Sequence, residues 1–417
     1  MRSFVAGVVQ RLNYGHGFGV AAFGILPFAV FAPKGLVVLF ILSLAIVVHC
    51  ALRRRDILLV RRWPIAWIFG LFFAWSLLSV LWSIAPATSL QAWIRIVPLT
   101  AGLVLFIAFA RHLQESEYRV FERALVWGVC LGAFLLAIEA LGGLTIQGFF
   151  RGWFGGDTQI RLEMLNRAIC VLVLVLWPTV VVLWRQGRWK MAVAVVAAGL
   201  LLIFLGRSQS AQIAVSISLV VFAFVFFLRR WAGRILAVAS MLAILAAPVI
   251  VRDQPWADKL QAILPATESS VLQRLYIWDF VADRIVEKPL AGWGLAVSRT
   301  VPKGSEESPA GGETLPLHPH SAPLQLWFEL GLPGASLFAL LFALAFLAVG
   351  RIRSDRVVQA AVGANIVVAL SLVSMTYGIW QKWWLVALGL VAAFSTAAAT
   401  SGSAGCAPRI VKDAPDC

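Results

Sequence analysis

Long apolar stretches separated by short segments that contain Lys and Arg constrain the fold of this chain more than any other feature. A helix needs about 20 predominantly apolar residues to cross the hydrocarbon core of a membrane. The predicted spans are 17–33, 35–52, 64–83, 93–110, 124–145, 167–184, 190–205, 209–228, 235–251, 323–350, 357–377 and 383–400. Two breaks between them are short, so ten or eleven spans are also compatible with the sequence. We therefore predict an all-α, polytopic integral membrane protein with about 12 transmembrane helices.

The composition supports this fold class. Of the 417 residues, 61% are hydrophobic and 13% are charged, whereas soluble proteins contain about 45–50% apolar and about 25% charged residues. This excludes a soluble enzyme, a secreted disulfide scaffold and a disordered protein. A net charge of +15 would favour a nucleic-acid partner in a soluble protein. Here we predict no nucleic acid, because basic residues accumulate in the cytoplasmic loops of membrane proteins.

The positions of the basic residues predict the orientation. Most of the 35 Lys and Arg residues lie in short segments on one side of the membrane, with clusters at 53–55, 61–62 and 229–230. Such segments face the cytoplasm, so both termini are predicted to be cytoplasmic. The predicted parts are transmembrane helices 1–9 in 1–251, a large periplasmic loop domain in 252–322, transmembrane helices 10–12 in 323–400, and a cytoplasmic tail in 401–417.

The periplasmic loop contains a second helical pattern. Between residues 269 and 287, apolar side chains recur at helical spacing and acidic side chains form a stripe on another face. This pattern predicts an amphipathic helix, and Pro289 ends it.

Arginines near the outer ends of the spans are candidates for function, because a charge in the apolar region costs about 2.5–3.5 kcal/mol on insertion scales. Arg207 lies in a tight turn between two spans, where its planar guanidinium could hold a phosphate through two hydrogen bonds. Arg274 lies near the start of the loop helix. Arg161 and Arg167 flank Asn166 at the start of the sixth span. Each arginine could instead be an interfacial anchor or a solvated helix residue.

Two histidines, His318 and His320, lie at the outer entrance of the tenth span. They could form half of a metal site, but the sequence offers no companion Cys or clustered carboxylate, so we predict neither a metal nor another cofactor. A histidine that titrates near neutrality at the rim of a membrane cavity is suited to general-base catalysis. The outer loops also lack an Asp-x-Asp motif that could hold a divalent cation against a diphosphate. Arginines would therefore have to neutralise a diphosphate substrate without metal.

Two neighbouring motifs lie at the start of the tenth predicted span, namely 318–325 (His-Pro-His-Ser-Ala-Pro-Leu-Gln) and 329–334 (Glu-Leu-Gly-Leu-Pro-Gly). They resemble the signature of the O-antigen ligase and polymerase superfamily. Upstream, Arg274, Trp278 and the stretch 288–295 match its Arg, Trp and Pro-Leu-x-Gly-x-Gly pattern. Together with Arg207 and the aromatic stretch 380–384, the resemblance covers roughly residues 200–390. One departure is Ser321, where the family more often has Asn.

The resemblance implies a glycosyltransferase of the bacterial inner membrane. Its donor would be a glycan linked to undecaprenyl diphosphate, its acceptor a sugar hydroxyl of lipid A–core, and its surroundings membrane lipid, with the reaction on the periplasmic side. In this interpretation Arg207 and Arg274 bind the diphosphate and His320 is the general base. Direct attack by the acceptor would invert the anomeric configuration. The remaining predicted substrate-binding residues are Arg161, Asn166, Arg167, Trp278, His318, Ser321 and Gln325.

Two alternatives remain at this point. A polymerase of O-antigen or exopolysaccharide would use the same donor, but a single large periplasmic loop favours a ligase. A lipid-linked glycan flippase or secondary transporter would also have many spans. Such a protein would place ionisable groups at mid-span, whereas here the spans contain few, such as Glu139 and Arg95.

Overall fold

The computed structural model describes residues 12–56, 64–153, 162–252, 269–308, 312–352 and 355–400. Within these ranges the chain is helical, apart from turns and one isolated bridge between Glu307 and Glu313. The helices are α1 (Tyr14–Phe31), α2 (Leu36–Arg54), α3 (Pro64–Leu78), α4 (Pro86–Ala110), α5 (Glu115–Leu141), α6 (Thr145–Trp153), α7 (Asn166–Arg185), α8 (Trp189–Leu205), α9 (Gln209–Leu228), α10 (Arg230–Leu245), α11 (Ala247–Val251), α12 (Ser269–Glu287), α13 (Ala322–Arg351), α14 (Arg356–Met375) and α15 (Lys382–Thr400).

Each of the twelve predicted spans overlaps a helix, although the ninth, 235–251, is divided between α10 and α11. Nine helices in the described part of the chain are long and apolar enough to cross a membrane, namely α1, α2, α4, α5, α7, α9, α13, α14 and α15. The other three predicted spans correspond to the shorter helices α3, α8 and α10. The prediction of an all-α, polytopic membrane protein is confirmed. The predicted tail 401–417 lies outside the described residues.

Helix α7 is the central helix of the bundle. Within an 18-residue apolar stretch of this helix, 89% is buried inside the protein. The helix contacts α1, α5, α8, α14 and α15. A helix that is apolar on every side is expected in such an interior position. The first residue of α7, Asn166, therefore lies in the middle of one end of the bundle.

Helix α13 is broken where the sequence predicts an uninterrupted span. Gly331 has φ 64° and ψ −161°, and Pro333 has no backbone N–H. The three carbonyl groups that precede the break are nevertheless satisfied. They accept hydrogen bonds from the backbone N–H groups of Trp293 and Gly294 (2.9 Å each) and from the indole of Trp75 (2.8 Å). A break in a membrane helix is tolerated where protein groups replace the lost hydrogen bonds in this way.

We expect Gly331→Ala to lower the melting temperature of the detergent-solubilised protein markedly. A Cβ atom at this position would lie 2.4 Å from the carbonyl oxygen of Leu290, and these backbone angles, which are essentially restricted to glycine, cost another residue about 1–3 kcal/mol. Gly70→Ala is the matched control, because a Cβ atom there meets nothing within 4 Å, and Ala favours a helix. Equal melting temperatures for the two variants would contradict the role given to Gly331.

Candidate active site

Several helix ends meet at one end of the bundle, around the start of α7. The hydroxyl of Ser208, in the turn between α8 and α9, donates a hydrogen bond to Oδ1 of Asn166. The hydroxyl of Ser210 accepts a hydrogen bond from Arg274 of α12 (3.4 Å) and donates to the carbonyl of Met375 at the end of α14 (3.3 Å). The structure therefore brings together residues that are more than 200 positions apart in sequence.

The hydrogen bond of His320 determines which of its ring nitrogens carries the proton. Its Nδ1 lies 2.5 Å from the carbonyl oxygen of Thr376. Because a carbonyl oxygen only accepts hydrogen bonds, Nδ1 must be the donor, and Nε2 of the neutral ring keeps its lone pair. His320 also has a left-handed backbone, with φ 57°. The arrangement gives an oriented imidazole that can accept a proton at Nε2.

The surroundings of His320 keep it neutral. Burial lowers the pKa of its imidazole below the ordinary value of 6.5, the hydrogen bond to the Thr376 carbonyl opposes this effect, and the positive charge of Arg274 lowers the pKa further. A base must be unprotonated before it can act. At neutral pH the side chain is therefore in the form that a general base requires.

His318 is held differently from its neighbour. Its Nε2 lies 3.2 Å from the backbone N–H of Gly378 and 3.0 Å from the amide nitrogen of Gln381. The orientation of that amide is fixed, because its oxygen accepts a hydrogen bond from the indole of Trp383 (2.9 Å). Burial lowers the pKa of His318 to about 3, and the proximity of His320 and of the Arg299 guanidinium acts in the same direction. Its Nε2 is thus already used as an acceptor inside the protein.

The buried side chain of Glu329 connects several segments of the site through hydrogen bonds. Glu329 in α13 is fully buried and accepts four hydrogen bonds. The donors are the N–H of Ala296 (2.7 Å), the hydroxyl of Ser298 (2.6 Å), the amide of Gln325 (3.0 Å) and the indole of Trp380 (2.5 Å). Glu329 belongs to the motif 329–334, but sequence reasoning gave it no role. Its partners come from three separate segments, so it fixes α13 against the connection between α14 and α15.

Two further predicted residues hold the histidine segment in place. The indole of Trp278 in α12 donates a hydrogen bond to the carbonyl of Pro319 (2.8 Å). Gln325 uses both ends of its amide, since its nitrogen bonds Glu329 and its oxygen accepts from the N–H of Ile379 (3.0 Å). Ser321 is buried and precedes α13 directly. These contacts keep the imidazoles at a defined position.

The other predicted arginines differ in their surroundings. Arg207 is exposed in the turn between α8 and α9, has φ 52°, and forms no ion pair within the described ranges. Arg167 is also exposed, and its guanidinium lies 5.8 Å from the ring centre of Trp383. Arg161 lies outside the described residues. Near Asn166, the positive charges of Arg167 and Arg207 are therefore not neutralised by any carboxylate that the structure describes.

Tyr377 is a site residue that sequence reasoning missed. It is half-buried, and its ring lies 4.8 Å from that of Trp383 and 5.3 Å from that of Trp384. Burial lowers the pKa of Arg274, and the phenol of Tyr377 partly opposes this effect, which places the two side chains near each other. The aromatic stretch 380–384 was the only signal for this cluster in the sequence. The site thus combines arginines with an aromatic surface.

Two hypotheses from the sequence, a metal site and an ionisable group within a span, can be compared with the structure. The part of the chain that the structure describes contains no group of three or more His, Cys, Asp or Glu side chains that could hold a metal ion. Glu139 is fully buried, and its carboxylate accepts hydrogen bonds from the N–H groups of Ile146 (3.0 Å) and Gln147 (3.4 Å) at the start of α6. Glu139 therefore caps a helix, which is a structural role.

The sequence of this chain is similar to that of known proteins. Residues 192–339 match the family model described as O-antigen ligase. A protein of Rickettsia conorii is 29% identical over 322 residues, covering 76% of this chain and 75% of its own length. A protein of Rickettsia felis is 29% identical over 321 residues, covering 76% of each chain. Both carry the provisional name polysaccharide ligase. The matched segment contains Arg207, Arg274, His320 and the break at Gly331.

Proposed function

Because the chain belongs to the O-antigen ligase superfamily, we propose that it transfers O-antigen polysaccharide from undecaprenyl diphosphate to a sugar hydroxyl of lipid A–core. The transfer takes place at the periplasmic side of a bacterial inner membrane. The observation that carries the proposal is the hydrogen bond from His320 to the Thr376 carbonyl, which leaves a neutral Nε2 close to Arg274. A base beside a fixed positive charge suits a reaction in which a hydroxyl attacks and a diphosphate leaves.

In the proposed reaction, the acceptor hydroxyl attacks the anomeric carbon and gives its proton to Nε2 of His320. The bond between the anomeric carbon and the diphosphate oxygen breaks, and its electron pair stays on the leaving undecaprenyl diphosphate. Attack from the face opposite the leaving group inverts the anomeric configuration. His318, Trp278, Ser321 and Gln325 position the segment that carries the base.

Arginines take the role of a divalent cation in this scheme. Arg274 and Arg207 bind the diphosphate and stabilise the negative charge that grows on it as the sugar leaves. Arg161, Arg167 and Asn166 contribute to donor binding at the adjoining end of α7. The exposure of Arg207 and Arg167 supports this role, because an anionic headgroup can reach them from the surrounding lipid.

The direct test is transfer in vitro by the purified protein in liposomes that contain the polyprenyl-diphosphate glycan and lipid A–core. We expect glycosylated lipid A–core and free undecaprenyl diphosphate to form in equal amounts, and to form equally well in EDTA. Loss of activity on chelation, with recovery in Mg²⁺ or Mn²⁺, would contradict the arginine mechanism. Longer glycans on the carrier without any modified lipid A–core would identify a polymerase.

A topology experiment tests the side of the membrane on which the site lies. Glu306 is exposed in the loop that contains α12, and a cysteine placed there should react with a membrane-impermeant reagent in intact spheroplasts. Arg188→Cys is the matched control, since Arg188 is exposed in a segment predicted to be cytoplasmic and should react only after permeabilisation. The unsubstituted chain gives the background of its own five cysteines. The reverse labelling pattern would overturn the orientation.

A further inference from the structure

A cavity of about 930 Å³ lies at the end of the bundle opposite His320. It is formed where α9 ends, α10 begins and α13 ends. Its charged lining consists of Arg229, Arg230 and Arg351, and the described lining contains no carboxylate. Three guanidinium groups around one cavity form a site for an anion, because each can bind a phosphate through two parallel hydrogen bonds.

Neutral groups contact two of these arginines. The Nε of Arg229 donates a hydrogen bond to the amide oxygen of Gln359 (3.5 Å), and the nitrogen of that amide donates to the carbonyl of Val349 (3.0 Å). The guanidinium of Arg230 lies 5.7 Å from the ring centre of Trp231. Asp355 is close in sequence, but its carboxylate caps α14 by accepting from a backbone N–H. The positive charge of the cavity is therefore available to a ligand.

The backbone of Arg229 is strained and fixes where its side chain begins. This residue alone connects α9 to α10, with φ 50° and ψ −116°. These angles are those of the first central residue of a type II′ turn, a position that glycine dominates because it has no Cβ atom. Strained backbone conformations cluster at ligand-binding and active sites. At this position the strain places a guanidinium on the cavity.

The surroundings indicate a lipid as the source of the anion. Phe227 and Trp231, which both line the cavity, have exposed fractions of 74% and 52%. Ile235, one turn further along α10, is 47% exposed. Exposed apolar side chains at the ends of spanning helices face acyl chains, and tryptophan is enriched at the headgroup level. We propose that this cavity binds the phosphate headgroup of an anionic phospholipid in the leaflet on the side opposite the active site.

The test is titration of the purified full chain in neutral detergent with phosphatidylglycerol, followed by the shift in melting temperature. We expect stabilisation by phosphatidylglycerol and none by phosphatidylcholine. Replacing Arg229, Arg230 and Arg351 together with Gln should weaken binding roughly a hundredfold, since each basic residue near an anionic headgroup contributes about fivefold. The control replaces Arg188 and Lys190, which are exposed and lie outside the cavity lining, and should bind normally. If the control variant binds phosphatidylglycerol as weakly as the triple variant, the proposed site is wrong.

A single variant separates binding from folding. Arg229→Gly relieves the strained backbone, so it should melt at the same or a higher temperature in neutral detergent, yet bind phosphatidylglycerol about fivefold more weakly. Unchanged affinity, or a lower melting temperature without lipid, would count against the proposal. If inorganic phosphate alone stabilises the protein as much as phosphatidylglycerol does, the site takes a soluble anion and the lipid assignment is wrong.

Discussion

Replacing His320 with Asn is expected to lower the rate of glycan transfer by about 10²–10⁴-fold, the usual contribution of a general base. Asn tolerates the left-handed backbone that this position requires and still has an N–H that can reach the carbonyl of Thr376. The variant should therefore stay folded and bind donor. His320→Ala should be equally inactive but less stable, because Ala is strained at φ 57°.

His318→Asn is the matched comparison, because His318 is buried beside His320 with its ring centre 4.2 Å away. Its Nε2 is already engaged by Gly378 and Gln381, so its loss should disturb position and lower the rate less. If the His318 variant is inactive while the His320 variant is nearly normal, the general base is His318 and not His320. If both variants keep their activity, general-base catalysis by this motif is wrong.

The dependence of the rate on pH adds a second readout for the same residue. Only the unprotonated imidazole can accept the proton of the acceptor. Because burial lowers the pKa of His320 below 6.5, the rate should stay level as the pH falls to that value. It should decline only as the pH falls through the lowered pKa, where Nε2 becomes protonated. A decline that already begins above pH 7 would show that another group titrates.

Arg274→Lys is expected to lower the transfer rate by about 10–100-fold, and Arg207→Lys should act in the same direction. Lysine keeps the charge but loses the planar pair of donors that binds a diphosphate through two hydrogen bonds. A charge-assisted hydrogen bond contributes about 1.5–3 kcal/mol, which corresponds to this range of rates. Arg274 also holds Ser210 (3.4 Å), so the loss should appear in donor binding as well as in turnover.

Arg252→Lys serves as the control for a change of basic side chain elsewhere in the segment 252–322. Arg252 is partly exposed and pairs with Asp283 at 2.9 Å, and an exposed pair of this kind contributes little to stability. Its lysine variant should transfer glycan at the normal rate. If Arg274→Lys and Arg207→Lys are both fully active, these residues are interfacial anchors. The proposed binding of the diphosphate by arginines would then be wrong.

Local patterns predicted most of the fold. Membrane spans depend on the composition of about 20 consecutive residues, so the twelve apolar stretches were sufficient to place the helices. The amphipathic helix predicted for 269–287 is α12, with the same bounds, because its apolar spacing and Pro289 are local signals. The residues proposed for the candidate site were selected in the same way, through short motifs such as 318–325.

The features that local patterns did not predict depend on contacts between distant segments. Trp75 bonds the carbonyl of Leu330 across 255 positions, and nothing near Gly331 in the sequence indicates that partner. The proton on Nδ1 of His320 is assigned only because the carbonyl of Thr376 faces it. Likewise, the motif that contains Glu329 does not reveal its four donors.

The break in α13 also has a consequence for biogenesis. As α13 leaves the ribosome, the donors for its three freed carbonyls, Trp75, Trp293 and Gly294, have already been synthesised. The carboxylate of Glu329 must wait for Trp380, which lies 51 positions further along the chain. Membrane insertion can therefore tolerate the broken helix at once, whereas the candidate active site is completed only when the connection between α14 and α15 has been synthesised. A ribosome-stalled chain that ends at Met375, the last residue of α14, would be inserted but would lack Thr376 and Trp380, and we expect it to be inactive.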